Sequence, residues 1–165
     1  MMMVEFLVYS APIRTGKTTF LMKTFANRGD VSGFLTPDFN GIRMIYNLQN
    51  GQRIDFEVRD DKKMVDDQII GKFRFCQKGF DCCASLMNDF IEQPNSIFII
   101  DEVGKLEIND KGFEPKLTNW LRDVQKLSIN CKIILIVRDS LMSEFEFKYH
   151  FLNFKMISQT ELLCI

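Results

Sequence analysis

Apolar and polar positions along the chain follow two alternating patterns. Short runs in which nearly every position is apolar predict buried strands at residues 4–9, 97–100 and 133–137. Segments in which apolar residues recur every three or four positions predict amphipathic helices after Gly16, at residues 79–92 and at residues 113–127. Strand and helix therefore alternate, which predicts a mainly parallel sheet with helices packed against it.

The region between the first two predicted helices has a different pattern. Three short β-rich runs are separated by Asn-Gly pairs, which favour tight hairpins. The runs are residues 31–36, 42–48 and 53–58, and the pairs are Asn40-Gly41 and Asn50-Gly51. A charged segment, residues 59–67, predicts a solvated loop, and residues 73–76 predict a further short strand. The whole pattern predicts a three-layer α/β fold whose sheet is mainly parallel and carries an antiparallel β-hairpin extension.

Composition narrows the class of protein. The 165 residues fit a single domain, residues 1–165, and a hydrophobic fraction of 46% with 26% charged residues is typical of a globular chain. The net charge of −1 and the scattered basic residues do not indicate a nucleic-acid partner. Five cysteines without a C-x-x-C pair argue against disulfides and zinc, and favour a reducing cytoplasm. No apolar run approaches the ~18 residues of a membrane span, so no membrane partner is expected.

A phosphate-binding loop follows the first predicted strand. Such a loop needs glycine to wrap backbone N–H groups around phosphate oxygens, a lysine to reach the β and γ phosphates, and a hydroxyl to bind magnesium. Residues 11–18 supply all of these except the first glycine, and the predicted strand and helix flank them correctly. We expect Lys17 to contact the phosphates and Thr18 the Mg²⁺. The predicted nucleotide-binding residues are Ala11, Pro12, Ile13, Arg14, Thr15, Gly16, Lys17, Thr18 and Thr19.

Two carboxylates come directly after the apolar run at residues 97–100. Open α/β sheets bind their ligands at the carboxyl ends of their strands, and Asp101 and Glu102 are predicted to lie there. We expect Asp101, with Thr18, to hold the metal ion. Glu102 is placed to orient or deprotonate an attacking water. A bound nucleoside triphosphate with Mg²⁺ is therefore the expected ligand pair.

Arginine side chains match the charge that phosphoryl transfer spreads over oxygen atoms. Arg138 ends the predicted strand at residues 133–137 and is the better candidate for a γ-phosphate ligand, so we count it with Glu102 and Lys17 as catalytic. Arg14 lies inside the loop, where it can lean over the phosphates or point to water.

Three segments together resemble the small nucleoside-triphosphatase family that includes the cancer-related nucleoside-triphosphatases. They are the loop at residues 11–18, Gly33-Phe34-Leu35-Thr36-Pro37 with Gly41 and Arg43 beyond it, and Ile100-Asp101-Glu102-Val103-Gly104-Lys105-Leu106-Glu107. The resemblance extends over residues 6–138. It implies a RecA-like P-loop sheet and slow, magnesium-dependent hydrolysis of several nucleoside triphosphates.

The same resemblance implies the roles already given for Lys17, Thr18, Asp101 and Glu102, and it adds Glu107 and Arg138 as site residues. The chain departs from the family pattern at two positions of the loop. Ala11 stands in place of the first glycine, and Arg14 stands where the family often has a second one.

Hydrolysis of ATP- or GTP-type nucleotides to the diphosphate and phosphate is the leading hypothesis. One alternative is a P-loop kinase for a small acceptor or a nucleotide, which needs an acceptor pocket and an arginine-rich lid. Another is a nucleotide-binding regulatory module with little catalysis, suggested by the two unusual loop residues.

Overall fold

The computed structural model describes residues 3–59 and 66–165, and within them a large sheet carries helices on both faces. The strands are β1 Val4–Ala11, β2 Val31–Leu35, β3 Asp38–Phe39, β4 Ile42–Asn47, β5 Arg53–Asp55, β6 Gln68–Ile70, β7 Phe73–Phe75, β8 Ile97–Val103, β9 Cys131–Arg138 and β10 Phe154–Ile157. The helices are α1 Lys17–Phe25, α2 Gln77–Glu92, α3 Lys105–Ile108, α4 Lys116–Val124, α5 Met142–Lys148 and α6 Gln159–Leu163.

The central part of the sheet is parallel, as the sequence predicted. Its strands run in the order β10-β1-β9-β8-β2, and every neighbouring pair among them is parallel. Parallel strands place their carboxyl ends at one edge of the sheet, so the residues that follow β1, β8 and β9 share that edge. This edge contains most of the predicted site.

Each face of the sheet packs against its own set of helices. Alternate residues of a strand point to opposite faces, and Phe6 and Val8 join a core with α2, α4 and α5. Leu7 and Tyr9 join the opposite core, where α1 and α6 cover the sheet. The predicted three-layer architecture is therefore confirmed, and burial of both faces explains why β8 and β9 are apolar at nearly every central position.

The antiparallel extension predicted from the Asn-Gly pairs is also confirmed. Strands β3, β4 and β5 pair antiparallel, and β4 joins the extension to β2. Phe39 pairs with Ile42, and the two residues between them, Asn40 and Gly41, have φ values of 54° and 79°. Positive φ at both positions defines a type I′ turn, for which Asn-Gly is the preferred sequence.

Some boundaries differ from the prediction for identifiable reasons. The helix expected at residues 113–127 is α4, Lys116–Val124, because Pro115 precedes it and cannot lie in a helix interior. Phe113 and Leu127 still pack in the core beside it. The strand expected at residues 53–58 ends at Asp55, and Glu57 forms an isolated bridge with Phe75. Residues 60–65 of the expected solvated loop lie outside the described residues.

Among the described residues, no helix has both the length and the apolar character needed to cross a membrane.

Candidate active site at the carboxyl edge of the sheet

The predicted phosphate-binding loop joins the end of β1 to the start of α1. Two residues turn the chain between them: Arg14 and Gly16 have φ values of 59° and 78°, in the left-handed region that glycine adopts most easily. The amide of Phe20 donates to the carbonyl of Gly16 at 2.9 Å, so the helix begins immediately after the turn. The loop leaves the N–H groups of the first helical turn available for an anion.

Lys17 is the first residue of α1, and its ammonium group lies against the loop backbone. Its Nζ donates to the carbonyl of Ala11 at 2.9 Å and to that of Pro12 at 2.5 Å. Burial lowers the pKa of Lys17, and the negative charge of Asp101 partly opposes that shift. The Lys17 side chain therefore lies against the loop, where it feels the negative charge of Asp101 from β8.

The other loop residues are exposed to solvent or bonded within the loop. The Thr15 hydroxyl donates to the carbonyl of Pro12 at 2.9 Å. Ile13 is 56% exposed, and Arg14 and Thr19 are also exposed. These side chains stand at the open surface of the site, whereas Thr18 points towards the sheet.

Asp101 is the buried carboxylate at the end of β8, with 2% of its surface exposed. One of its oxygens, Oδ2, accepts from the Thr18 hydroxyl at 3.0 Å, from the Thr36 amide at 3.0 Å and from the Thr36 hydroxyl at 3.3 Å. Burial raises the pKa of Asp101, and the donors from Thr36 and Thr18 oppose this effect. The structure thus brings together Thr18 and Asp101, the two residues predicted to hold the metal.

Glu102 points to a different part of the site from Asp101. Ile100 pairs with Leu135 and Val103 pairs with Val137, so two residues of β8 face one residue of β9 in a β-bulge. Glu102 has a φ of 63° within this bulge. A left-handed conformation at a residue other than glycine costs about 1–3 kcal/mol and often marks a functional site.

Two arginines hold the Glu102 carboxylate. Nη1 of Arg43 donates to Oε2 of Glu102 at 2.9 Å, and Nη2 of Arg138 donates to Oε1. Arg138 is placed beside the loop because it pairs with Ala11 in the β1–β9 register. Burial lowers the pKa of Arg138, and the neighbouring Arg43 adds to that shift.

Glu107 occupies a different position from the other predicted site residues. It lies in α3, is 3% exposed, and accepts from the Gly104 amide at 2.9 Å and from the Phe113 amide at 3.0 Å. Burial raises the pKa of Glu107 to about 7. Its hydrogen bonds fix the backbone that follows β8. The position of Glu107 therefore indicates a structural role next to the site.

Sequence reasoning assigned no role to Thr36 and Arg43. Both lie in or near the segment from Gly33 to Arg43 that carried part of the family resemblance, which was the signal available for them. Thr36 follows β2 and Arg43 belongs to β4, so only the sheet pairing brings them to Asp101 and Glu102. No motif spacing encodes that contact.

These features define a P-loop NTPase fold: a loop between strand and helix at the carboxyl edge of a parallel sheet, with two carboxylates on a nearby strand. A family profile described as NTPase matches residues 7–147, and the chain belongs to this NTPase family. Its activity class is accordingly that of a nucleoside triphosphatase. A comparison with curated protein sequences finds no match.

Two solved structures are similar to this chain. The solution structure of a human cancer-related nucleoside triphosphatase has a TM-score of 0.64 at 16% identity, covering 97% of this chain and 94% of that one. The crystal structure of THEP1 from the hyperthermophile Aquifex aeolicus has a TM-score of 0.63 at 18% identity, covering 95% and 90%. At these identities the likeness concerns the fold, and the fold class predicted from the sequence is confirmed.

Proposed function

We propose that this NTPase hydrolyses ATP- and GTP-type nucleotides to the diphosphate and inorganic phosphate with the help of Mg²⁺. The observation that carries the proposal is that the two neighbouring carboxylates at the end of β8 contact different partners. Asp101 is bonded to Thr18 of the phosphate-binding loop, and Glu102 is turned towards Arg43 and Arg138. We therefore assign Asp101 to the metal ion and Glu102 to the attacking water.

The phosphate chain is assigned to the loop and to Lys17. Amide groups at the start of α1 provide hydrogen-bond donors, and the helix dipole favours an anion there. Lys17 now donates to two loop carbonyls, and a phosphate oxygen is a stronger acceptor for its ammonium group because it is charged. Binding therefore exchanges neutral partners for charged ones.

The residues present fit a magnesium ion. Mg²⁺ in nucleotide sites is held by one or two protein oxygens together with phosphate oxygens and water, and Thr18 and Asp101 offer a hydroxyl and a carboxylate that already touch. The described residues contain no larger cluster of His, Cys, Asp and Glu for a metal, in keeping with a site completed by the nucleotide. The bound ion would supply charge neutralisation at the β and γ phosphates.

Glu102 is assigned the attacking water. The Glu102 carboxylate orients the water and accepts its proton while the water oxygen bonds to the γ-phosphorus and the bond to the β-phosphate oxygen breaks. Arg43 and Arg138 hold the Glu102 carboxylate in place and lie where guanidinium groups can also bind γ-phosphate oxygens. The same two arginines thus orient the base and stabilise charge in the transition state.

Phosphate release from ATP, GTP, CTP and UTP by the purified chain tests the proposal. Release should require Mg²⁺, stop when the metal is chelated, and fall to background in Lys17→Ala. Release by wild type no faster than by Lys17→Ala would overturn the proposal, because that substitution removes the phosphate-binding ammonium group.

We further infer that residues 1–165 act as one domain, which we place in the cytoplasm. The N-terminal strand β1 lies between β9 and β10 from the C-terminal part of the chain, so neither part completes the sheet alone. All five cysteines are free, which suits a reducing compartment.

A further inference from the structure

A cavity of about 270 Å³ opens beside Glu102. Thr36, Arg43, Glu102 and Arg138 line one wall of this cavity, and none of the residues 11–19 takes part in it. The phosphate chain of a nucleotide bound to the loop would lie outside the cavity, with only its γ-phosphate near Glu102. The cavity is therefore space that the triphosphate itself does not need.

Five phenylalanines line other parts of the cavity. They are Phe56, Phe73, Phe75, Phe80 and Phe113. Neighbouring rings lie close together, with centroids 4.7 Å apart for Phe56 and Phe75 and 5.3 Å apart for Phe80 and Phe113. Because four of the five are buried, the wall is firmly packed, and it gives the cavity an apolar, aromatic lining that suits a flat molecule.

The polar rim of the cavity carries excess positive charge. Four cations line it: Arg43, Lys72, Lys105 and Arg138. Only two carboxylates accompany them; Glu102 is shared by the two arginines, and Glu107 is bonded to backbone amides. Within the described part of the chain, no acidic side chain pairs with the ammonium group of Lys72 or Lys105. An anionic group of a ligand would find two cations available.

Phe73 links the aromatic wall to this rim. The Arg43 guanidinium lies 5.7 Å from its ring centroid and the Lys72 ammonium lies 5.4 Å from it. A cation over a ring face is attracted to that ring, so Phe73 holds two positive groups that line the cavity. A ligand whose flat ring enters the cavity would leave its anionic group beside these cations.

We propose that this cavity is a second ligand site, which takes a small molecule that joins a flat aromatic ring to an anionic group, of the nucleoside monophosphate class. Its position relative to the γ-phosphate rests on the function proposed above. Because the occupant would share Glu102 and Arg43 with the attacking water, it slows hydrolysis by limiting the approach of that water. It does so without competing for the phosphate-binding loop.

Direct binding provides the first test and needs no turnover. AMP, GMP, CMP and UMP are titrated into the protein by calorimetry. At least one should bind saturably to wild type and equally to Lys17→Ala, whose loop is impaired. The double variant Lys72→Ala/Lys105→Ala and the variant Phe73→Ala should each bind about tenfold more weakly or worse, since each removes charged or stacking partners.

The matched controls Lys126→Ala and Phe147→Ala alter an exposed lysine and an exposed phenylalanine elsewhere and should bind like wild type.

Hydrolysis kinetics provide the second test. The monophosphate that binds should lower the maximal rate of ATP hydrolysis, and a higher ATP concentration should not restore it. Inhibition should disappear in Lys72→Ala/Lys105→Ala, whose rate without monophosphate stays at the wild-type level.

Three results would overturn the inference. One is the lack of saturable binding by any of the four monophosphates, and another is binding that Lys17→Ala abolishes, which would place the molecule on the loop. The third is a raised KM for ATP in Phe73→Ala, which would make the cavity part of the triphosphate site. The proposed hydrolysis could fail independently: phosphate release would then be absent, while monophosphate binding would be unchanged.

Discussion

The Thr18 hydroxyl in α1 donates to Oδ2 of Asp101 at the end of β8 at 3.0 Å, across a separation of 83 residues. The same oxygen also accepts from the amide and the hydroxyl of Thr36. The two groups assigned to the metal are thus already in contact in the folded chain. Thr36, which follows β2, holds the Asp101 carboxylate in place. Orientation of the ligands should therefore depend on Thr36 as well as on Thr18.

Thr36→Val should weaken magnesium binding while leaving the fold intact. Valine has the shape of threonine and keeps the amide donor to Asp101, so only the hydroxyl donor is lost. Loss of a group that orients a metal ligand typically costs about 10–100-fold in affinity or activity. We expect the Mg²⁺ concentration for half-maximal phosphate release to rise by about tenfold or more.

Thr24→Val is the matched control for that variant, because the Thr24 hydroxyl donates only to the Phe20 carbonyl within α1. An equal rise in the Mg²⁺ requirement of both variants would contradict the role given to Thr36.

Gly33→Ala should destabilise the protein strongly. Gly33 has a φ of 108°, and a Cβ there would overlap the carbonyl oxygen of Ile99 in the neighbouring strand. Overpacking and an unfavourable φ each cost about 1–3 kcal/mol, so the free energy of unfolding should fall by roughly 3 kcal/mol. Denaturant titration measures this change.

Gly29→Ala provides the comparison, since a Cβ at Gly29 meets no atom within 4 Å and its φ is not positive. If the two alanine variants had the same free energy of unfolding, the close approach of Gly33 in β2 to Ile99 in β8 would be contradicted.

Glu107 should make the protein less stable as the pH rises from about 4.5 to 7. Burial raises the pKa of Glu107 from 4.5 to about 7 in the folded chain, so the native state binds more protons than the unfolded state in that window. The free energy of unfolding should therefore fall with rising pH, by on the order of 3 kcal/mol from this group. Below pH 4.5 the group contributes its full stabilisation.

Glu107→Gln removes the titrating group and should flatten this part of the stability profile, although it also loses one acceptor for a backbone amide. Unfolding by denaturant at several pH values checks both proteins. An unchanged pH dependence in Glu107→Gln would show that another group is responsible.

Arg14→Gly should stabilise the protein slightly. Arg14 has a φ of 59° in the loop, and left-handed backbone costs about 1–2 kcal/mol for most residues but not for glycine. We expect a gain of about 1 kcal/mol, which corresponds to a rise in Tm of about 2–4 °C for a chain of this size. Calorimetry of Asn27→Gly serves as the comparison: Asn27 has a similar φ of 61°, but asparagine tolerates it well, so its gain should be smaller. A larger gain at Asn27 would argue against backbone strain at Arg14.

Much of the fold could be predicted from local patterns. The buried strands, the helices after Gly16 and at residues 79–92, and the Asn40-Gly41 turn all depend on periodicity or turn chemistry that a short window contains. Strands β3, β6 and β10 and helices α3, α5 and α6 were not predicted. Strand β10 has only one buried residue, Ile157, so its pattern lacks the continuous apolar run that marks β8 and β9.

The site divides in the same way. Residues 11–18 and the Asp101-Glu102 pair are local motifs, and their chemistry is visible in the order of residues. The contact of Thr36 with Asp101 and that of Arg43 with Glu102 depend on how β2, β4 and β8 pair, which no local pattern determines. The positive φ of Glu102 likewise arises from a bulge between two strands. Local motifs therefore point to the candidate reacting groups, whereas the residues that contact them become visible only through the sheet pairing.

The role of Glu102 is the central claim, and Glu102→Gln tests it most directly. Glutamine keeps the size of the side chain but cannot accept the water proton, so ATP should bind within about twofold of wild type while phosphate release falls by about 10²–10⁴-fold. Both quantities are measured on the same preparation, with binding followed by calorimetry and turnover by phosphate release in Mg²⁺. Unchanged turnover in Glu102→Gln would contradict the account, and so would a loss of turnover that is fully explained by lost ATP binding.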